Sequence, residues 1–378
     1  MKVVVAIDSL KGSMTSMEAG RAIREGVLNV LPETEVIVKP LADGGEGTTE
    51  ALAEGLGGEM VYVDVHGPLE TPVKAGYGLI RETGTAIMEM AAAAGIIIVG
   101  KDKRPLDATT YGVGEMIRDA VQKGCRSFII GIGGSATNDG GIGMLTALGY
   151  EFLDAEGKAV GIGAGALKDV ASIKTDKVLP ELGECSFKIA CDVTNPLCGT
   201  NGATYIYGPQ KGVTEDMRDD LDAAMGSYAA VTKACLGTDF AESEGAGAAG
   251  GLGFAFLSFL GADLQPGIEL VLDAVHMEEA MEGADLVFTG EGRLDYQTAM
   301  GKAPVGIAKL AKKHGAKVIA LAGAVIEGAE KCNENGIDAF FPILRKIITL
   351  DEAMEPETAK QNMIKTTEQV MRLIAAVR

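Results

Sequence analysis

The chain has no tryptophan and only three histidines, and aromatic residues make up 5% of its 378 positions. With so little imidazole, a histidine-based nucleophilic triad has little support. His66 follows a strand near Gly67-Pro68, His276 and His314 fall in helical stretches, and all three read as structural or surface residues. There is no G-x-S-x-G elbow, no H-E-x-x-H and no G-x-x-x-x-G-K-[ST] phosphate loop. The six cysteines, Cys125, Cys185, Cys191, Cys198, Cys235 and Cys332, form no C-x-x-C pair. That argues against a structural zinc site and for reduced, buried thiols in a reducing compartment. Positive charge is also scarce, 34 Lys and Arg against 53 Asp and Glu, for a net charge of -19. Such a surface repels nucleic acid and anionic membranes. No stretch approaches the length of a bilayer span. Met1-Lys-Val-Val-Val-Ala-Ile enters a strand at once, without the pattern of a secretory leader, so the expected location is the cytoplasm.

What the chain has in excess is glycine, 52 residues, beside 47% hydrophobic residues. That combination specifies a packed interior with many tight turns and backbone-lined sites. A chain of 378 residues is long enough for two or three domains. Val3 to Ile7 is a β-branched run ending at Asp8. Thr15 and Glu18 stand at capping-box spacing, and Ala19, Ile23, Val27 and Leu31 repeat at helical intervals up to Pro32. Glu35 to Lys39 is a second strand, so the opening is that of a doubly wound parallel sheet. From about Met60 to Met90, short alternating runs separated by Gly-Pro, Thr-Pro and Glu-Thr-Gly predict antiparallel hairpins. A helix is predicted over Tyr111–Lys123, and strands over Ser127–Ile130, Lys188–Cys191 and Thr204–Tyr207. Asp285–Phe288, Lys317–Leu321 and Ala339–Pro342 read as buried strands, followed by a final amphipathic helix from about Thr358 to Val377. The expected fold is α/β: residues 1–60 plus 283–378 form a doubly wound domain, interrupted by an inserted α/β domain over 61–282 with some antiparallel pairing.

Five polar, glycine-rich segments follow strands or open helices. In Asp8-Ser-Leu-Lys11-Gly-Ser13, a lysine and a hydroxyl at a helix start can meet phosphate oxygens, although an ordinary cap beside an exposed lysine explains them equally well. Asp43-Gly-Gly-Glu46-Gly-Thr48 offers two carboxylates to a metal or hydroxyl, or is a solvated turn. Gly131-Ile-Gly133-Gly134-Ser135-Ala-Thr137-Asn138-Asp139-Gly-Gly141 suits triphosphate oxygens through its amides and hydroxyls. Cys191-Asp192-Val-Thr-Asn195 runs on to Gly208-Pro-Gln-Lys211-Gly212, where Asp192 sits at a turn and Lys211 adds a rare cation. Thr289-Gly-Glu291-Gly-Arg293-Leu-Asp295, with Gly301-Lys302 after it, brings carboxylates and cations to the sheet edge of Asp8 and Asp43. Gly245-Ala-Gly-Ala-Ala-Gly250 fits the dinucleotide pattern, but an acidic Glu-Ser-Glu precedes it where a strand should, so it reads as a helix entry that packs closely or nears a ligand.

Taken in order, Asp8-Ser-Leu-Lys-Gly-Ser13, Ala42-Asp-Gly-Gly-Glu-Gly-Thr48, the Gly131–Gly141 run, Cys191-Asp-Val-Thr-Asn-Pro-Leu197, Gly208-Pro-Gln-Lys-Gly212 and Thr289-Gly-Glu-Gly-Arg-Leu-Asp295 resemble the signature blocks of the bacterial-type glycerate kinases. Leu10 stands where relatives commonly carry Phe, a packing change that leaves the chemistry untouched. The resemblance implies a flavodoxin-like domain interrupted by a second α/β domain, a site in the cleft between them, and ATP-dependent phosphorylation of D-glycerate at its 2-hydroxyl. Phosphoryl transfer asks mainly for positioning and charge neutralisation. Asp43, Glu46 and Asp295 are therefore expected to serve Mg²⁺ or substrate. Ser13, Ser135, Thr137, Asn138 and the Gly133–Gly134 backbone are expected to hold nucleotide phosphates, with Lys11 and Lys211 neutralising charge. Arg293 is expected on the glycerate carboxylate, with Asp192 as base and Asp8 as a further catalytic residue. The expected partners are ATP, Mg²⁺ and glycerate, with a homodimer allowed for. A nicotinamide-dependent oxidoreductase using a glycine loop, or a non-catalytic nucleotide-binding regulator, are the alternatives. The first lacks the fingerprint context and a His or Lys near the loop, and the second sits poorly with the full set of carboxylates.

Overall fold

In the computed structural model, which describes residues 1–45 and 47–377, thirteen strands alternate with helices. They are β1 (Lys2–Val5), β2 (Glu35–Val38), β3 (Glu59–His66), β4 (Pro72–Ile80), β5 (Thr85–Glu89), β6 (Ser127–Gly131) and β7 (Glu151–Leu153), then β8 (Ser172–Lys174), β9 (Ser186–Ala190), β10 (Asp263–Gln265), β11 (Leu286–Leu294), β12 (Lys317–Val325) and β13 (Ala339–Pro342). The chain divides into two units, one of Met1–Asp43, Glu50–Gly57 and Val271–Arg378, the other of Gly44–Thr49 and Gly58–Leu270.

The first unit is an all-parallel sheet in the order β13-β12-β11-β1-β2. Counted within this unit the order is 2-1-3-4-5, the flavodoxin-like arrangement, with its switch point between β1 and β11. Val3, Val5, Ile7, Phe288 and Leu321 are buried against Ile23, Val27, Met363, Ile364 and Met371 of the helices Ser16–Leu28 and Pro356–Val377. The capping box forms as the sequence predicts: the Thr15 side chain accepts from Glu18 N, and Glu18 accepts from Thr15 N.

One position in this sheet admits no side chain. Gly290 sits within β11 at φ +146°, and a Cβ there would lie 1.8 Å from the Leu321 carbonyl oxygen. Gly290→Ala is expected to cost about 3 kcal/mol, read as a lower urea midpoint at unchanged slope.

The second unit holds a mixed sheet, β10-β9-β6-β5-β4-β3, in which β3, β4 and β5 pair antiparallel and β5, β6, β9 and β10 pair parallel. Phe128, Phe187, Tyr228, Phe254 and Phe256 are buried in its core. Both the doubly wound sheet and the second α/β domain with a mixed sheet are thus present. Thr204–Tyr207 is not a strand: Ala203–Tyr207 is a helical turn. Its β-branched and aromatic composition favours extension locally, but the helical turn places the buried Thr204 hydroxyl 3.0 Å from Asn138 Nδ2, and tertiary pairing wins. The Gly245–Gly250 segment enters the helix Ala248–Leu260 and bonds to the other glycine loop through Gly140 N to Gly250 O at 2.9 Å, so it packs closely as expected.

Candidate active site

The first unit brings its polar residues together at the carboxyl ends of its strands. Ala6 N donates to Phe288 O and Asp8 N to Gly290 O, at 2.8 and 2.9 Å, so the end of β1 lies alongside β11 as far as Asp8. The buried Ser16 hydroxyl donates to Ile7 O at 2.7 Å and accepts from Leu41 N at 2.9 Å, tying the exit of β1 to that of β2. A reversal at Leu10–Met14 then presents Lys11 and Ser13. Asp8, Lys11, Ser13, Asp43, Glu291, Arg293, Asp295 and Lys302 all line one cavity of about 560 Å³. It opens at the topological switch point, where open α/β sheets bind ligands.

Its carboxylates do different jobs. Burial pushes the Asp8 carboxyl up to about 7, and the nearby charges of Asp43 and Glu291 add to the rise against the Ser9 N–H and Lys11. Burial likewise raises Glu291, whose Oε1 accepts from Thr298 Oγ1 at 2.6 Å. Burial alone would raise Asp295 too, but the N–H groups of Thr298 and Gln297, with Lys302 and Arg293, hold it below the usual carboxylate range. Asp295 caps the turn Tyr296–Ala299, with Oδ1 accepting from Gln297 N at 2.8 Å and Thr298 N at 3.2 Å, while Oδ2 lies 3.3 Å from Arg293 Nε. One oxygen is thus engaged in the cap and the other with Arg293. Glu46 lies outside the described residues.

The second unit gathers the rest. Gly133 and Gly134 line a cavity of about 450 Å³ with Gly44, Gly45, Glu89 and the apolar turn Ile96–Ile98. Ser135, Thr137, Asn138 and Lys211 are buried behind that loop. Lys211 Nζ donates to Ser135 Oγ at 2.7 Å and to Thr137 O at 2.6 Å. Burial lowers its ammonium to about 7, against the favourable charge of Asp139. Asp139 is itself fully buried and raised by that burial, and it accepts from Thr110 N and Oγ1, both at 2.8 Å. Asp192 is exposed, and its Oδ1 accepts from Gly267 N at 2.8 Å, fixing the turn after β10.

Glu291 and Lys302 were visible in the fifth segment without a role. The cavity's apolar wall of Leu344, Leu350 and Met354 was not visible at all, because an aliphatic residue carries no chemical signal in so hydrophobic a chain.

A flavodoxin-like sheet with scarce cations concentrated beside carboxylates at its switch point defines an α/β protein built to handle an anionic ligand. Residues 3–375 match the glycerate kinase family, and the chain belongs to it. It is 47% identical to the glycerate kinase of Halalkalibacterium halodurans over 93% of both chains. Against the glycerate 2-kinase of Escherichia coli it is 44% identical, over 99% of this chain and 98% of that one. A crystal structure from Salmonella typhimurium LT2, assigned as a glycerate kinase 2, superposes with a TM-score of 0.91 at 44% identity, covering 100% of this chain and 98% of that one. Among the described residues no helix is long and apolar enough to cross a membrane.

Proposed function

We propose that the protein transfers the γ-phosphoryl group of ATP to the 2-hydroxyl of D-glycerate, giving 2-phosphoglycerate and ADP. Beyond family membership, the observation that carries this reading is the cavity in the first unit, where a carboxyl raised to about 7 shares one space with Lys11, Arg293 and Lys302. A base poised near the working pH takes a proton most effectively. Asp8 accepts the hydroxyl proton as the new O–P bond forms and the bond to the ADP oxygen breaks. This gives Asp8 the role first considered for Asp192, whose carboxylate is held by Gly267 N. Lys11 and Lys302 take phosphate oxygens as point charges, and the planar guanidinium of Arg293, steadied by Asp295, receives the glycerate carboxylate.

Mg²⁺ fits this donor set. Among the described residues no cluster of three or more His, Cys, Asp or Glu forms a complete cage, but Mg²⁺ needs only one or two carboxylates beside phosphate and water oxygens. Asp43 and Glu291 raise the Asp8 carboxyl, a crowding of negative charge that a cation would relieve. Asp43 is the residue that would hold it. When bound, Mg²⁺ would neutralise charge on the phosphate oxygens. In the second unit, the Gly133–Gly134 backbone offers amides to an anion, while Ser135, Thr137 and Lys211 shape that loop from behind.

The test measures ADP release with D-glycerate, with and without Mg²⁺, coupled in parallel through enolase without phosphoglycerate mutase. Enolase signal at the rate of ADP release is expected, because the 2-hydroxyl lies next to the carboxylate anchored by Arg293 and small positional errors cost large rate factors. Signal that needs added mutase would place the phosphate on the 3-hydroxyl. Absence of D-glycerate-dependent ADP release would reject the kinase reading.

A further inference from the structure

The cavity of the first unit has a mixed lining. Part of its lining is charged, from Asp8, Lys11, Asp43, Arg293 and Lys302, and part is apolar, from Ile343, Leu344, Leu350, Ala353 and Met354. Three of those apolar side chains are open to the cavity and solvent, with Leu344 41%, Leu350 73% and Met354 37% exposed. Clustered exposed aliphatics rimmed by charge mark a binding surface. Glycerate has an oxygen on every carbon and no use for such a wall. A ligand that suits both parts at once has a flat apolar end and a polyanionic end, and a volume of about 560 Å³ lies within the range of pockets for ligands of that size.

The wall is also fixed in place. Ile343 N donates to Ala322 O at 2.8 Å, continuing the sheet past β13. The helical turn Leu350–Met354 is capped by Thr349, whose hydroxyl accepts from Glu352 N at 3.3 Å while Glu352 accepts from Thr349 N at 2.9 Å. Met354 reaches over the Lys11–Gly12 turn. Gly12 has φ +78°, and a Cβ there would lie 2.7 Å from Met354 Cε.

We propose that this wall is the base subsite for the nucleotide, with the adenine ring lying against Leu344, Leu350 and Met354 and the phosphates directed to Lys11 and Lys302. The inference rests on ATP being the phosphoryl donor. Met354 contributes a polarizable sulfur that contacts aromatic rings favourably. The side chains of the wall carry no hydrogen-bond donor, and the weak thioether acceptor of Met354 is their only acceptor, so the wall itself selects little among purine bases. The competing location is the cavity of the second unit, beside Ile96–Ile98.

Two measurements decide it. Photolabelling of the full chain with 8-azido-ATP, with and without excess ATP, should give ATP-protected label in peptides spanning residues 343–359. Protected label in the peptide spanning 89–98, or no protected label anywhere, overturns the assignment. Met354→Ala and Leu350→Ser should each raise KM for ATP about tenfold, leaving kcat and KM for D-glycerate within about twofold, because uniform ground-state binding is lost and the reacting groups are untouched. A rise in KM for glycerate instead would also overturn it. Labelling requires no turnover, so protected label at 343–359 in a protein that fails to release ADP with D-glycerate would leave the base subsite standing while the kinase reading fell.

Discussion

Asp8→Asn should lower kcat by a factor of about 10²–10⁴ and at the same time raise the melting temperature of the ligand-free protein at pH 8. The two halves of this expectation have one cause. Asp8 is half-buried at the cavity beside Asp43 and Glu291, and its carboxyl is raised to about 7. A carboxyl whose folded pKa exceeds its unfolded value, about 4, stabilises the fold fully only below the unfolded value. That contribution is lost as pH rises through about 7, so at pH 8 the ligand-free protein carries the whole cost of an ionised, crowded carboxylate. Asparagine keeps the shape and removes the charge. The gain in melting temperature should therefore be largest at pH 8 and shrink towards pH 4, while activity is lost at every pH. Asp192→Asn is the companion measurement. Should it abolish turnover while Asp8→Asn stays near wild type, the proton acceptor is Asp192 and the assignment is reversed.

Much of this arrangement was legible before any coordinates. Asp8, Lys11, Ser13, Asp43, Arg293 and Asp295 share one cavity because each follows or ends a strand of a single parallel sheet, and such sheets put those ends on one edge. The sheet was readable because its strands are short β-branched runs punctuated by Gly, Pro and acidic caps. What could not be read was depth. Lys211 sits in a Gly-Pro-Gln-Lys-Gly turn that looks solvent-facing in sequence, yet its ammonium lies in the interior under the Gly131–Gly141 loop, an outcome of packing between segments more than seventy residues apart. Nor could sequence tell that both Asp295 oxygens are spent on a helix cap and on Arg293. The helical turn at Thr204–Tyr207 was hidden for the same reason, since Asn138, to which Thr204 is hydrogen-bonded, lies far away in the chain.

Lys211→Met gives the sharpest test of that buried turn. Methionine nearly matches the aliphatic stem, so packing is largely kept and the loss is polar. The Ser135 hydroxyl and the Thr137 carbonyl each lose the lysine donor at 2.7 and 2.6 Å and keep only the long Ser135 Oγ to Thr137 O contact of 3.4 Å. A buried polar group left without its partner costs about 1–3 kcal/mol, so the variant should lose about 2–5 kcal/mol in a urea melt. The pH dependence separates this lysine from any other. Its folded pKa of about 7 lies below the unfolded value, so its contribution to wild-type stability should rise as pH climbs from about 7 towards 10. That rise should be missing in the methionine variant. Lys211 holds the Ser135–Thr137 segment that follows Gly133 and Gly134, and we propose that it acts through that support and not by touching nucleotide itself. At a temperature where the variant is still folded, KM for ATP should rise by less than about tenfold, as expected for a loosened support. A hundredfold rise in KM for ATP with an unchanged urea midpoint would instead make Lys211 a direct phosphate ligand, and the buried contacts with Ser135 and Thr137 would then have to open when nucleotide binds.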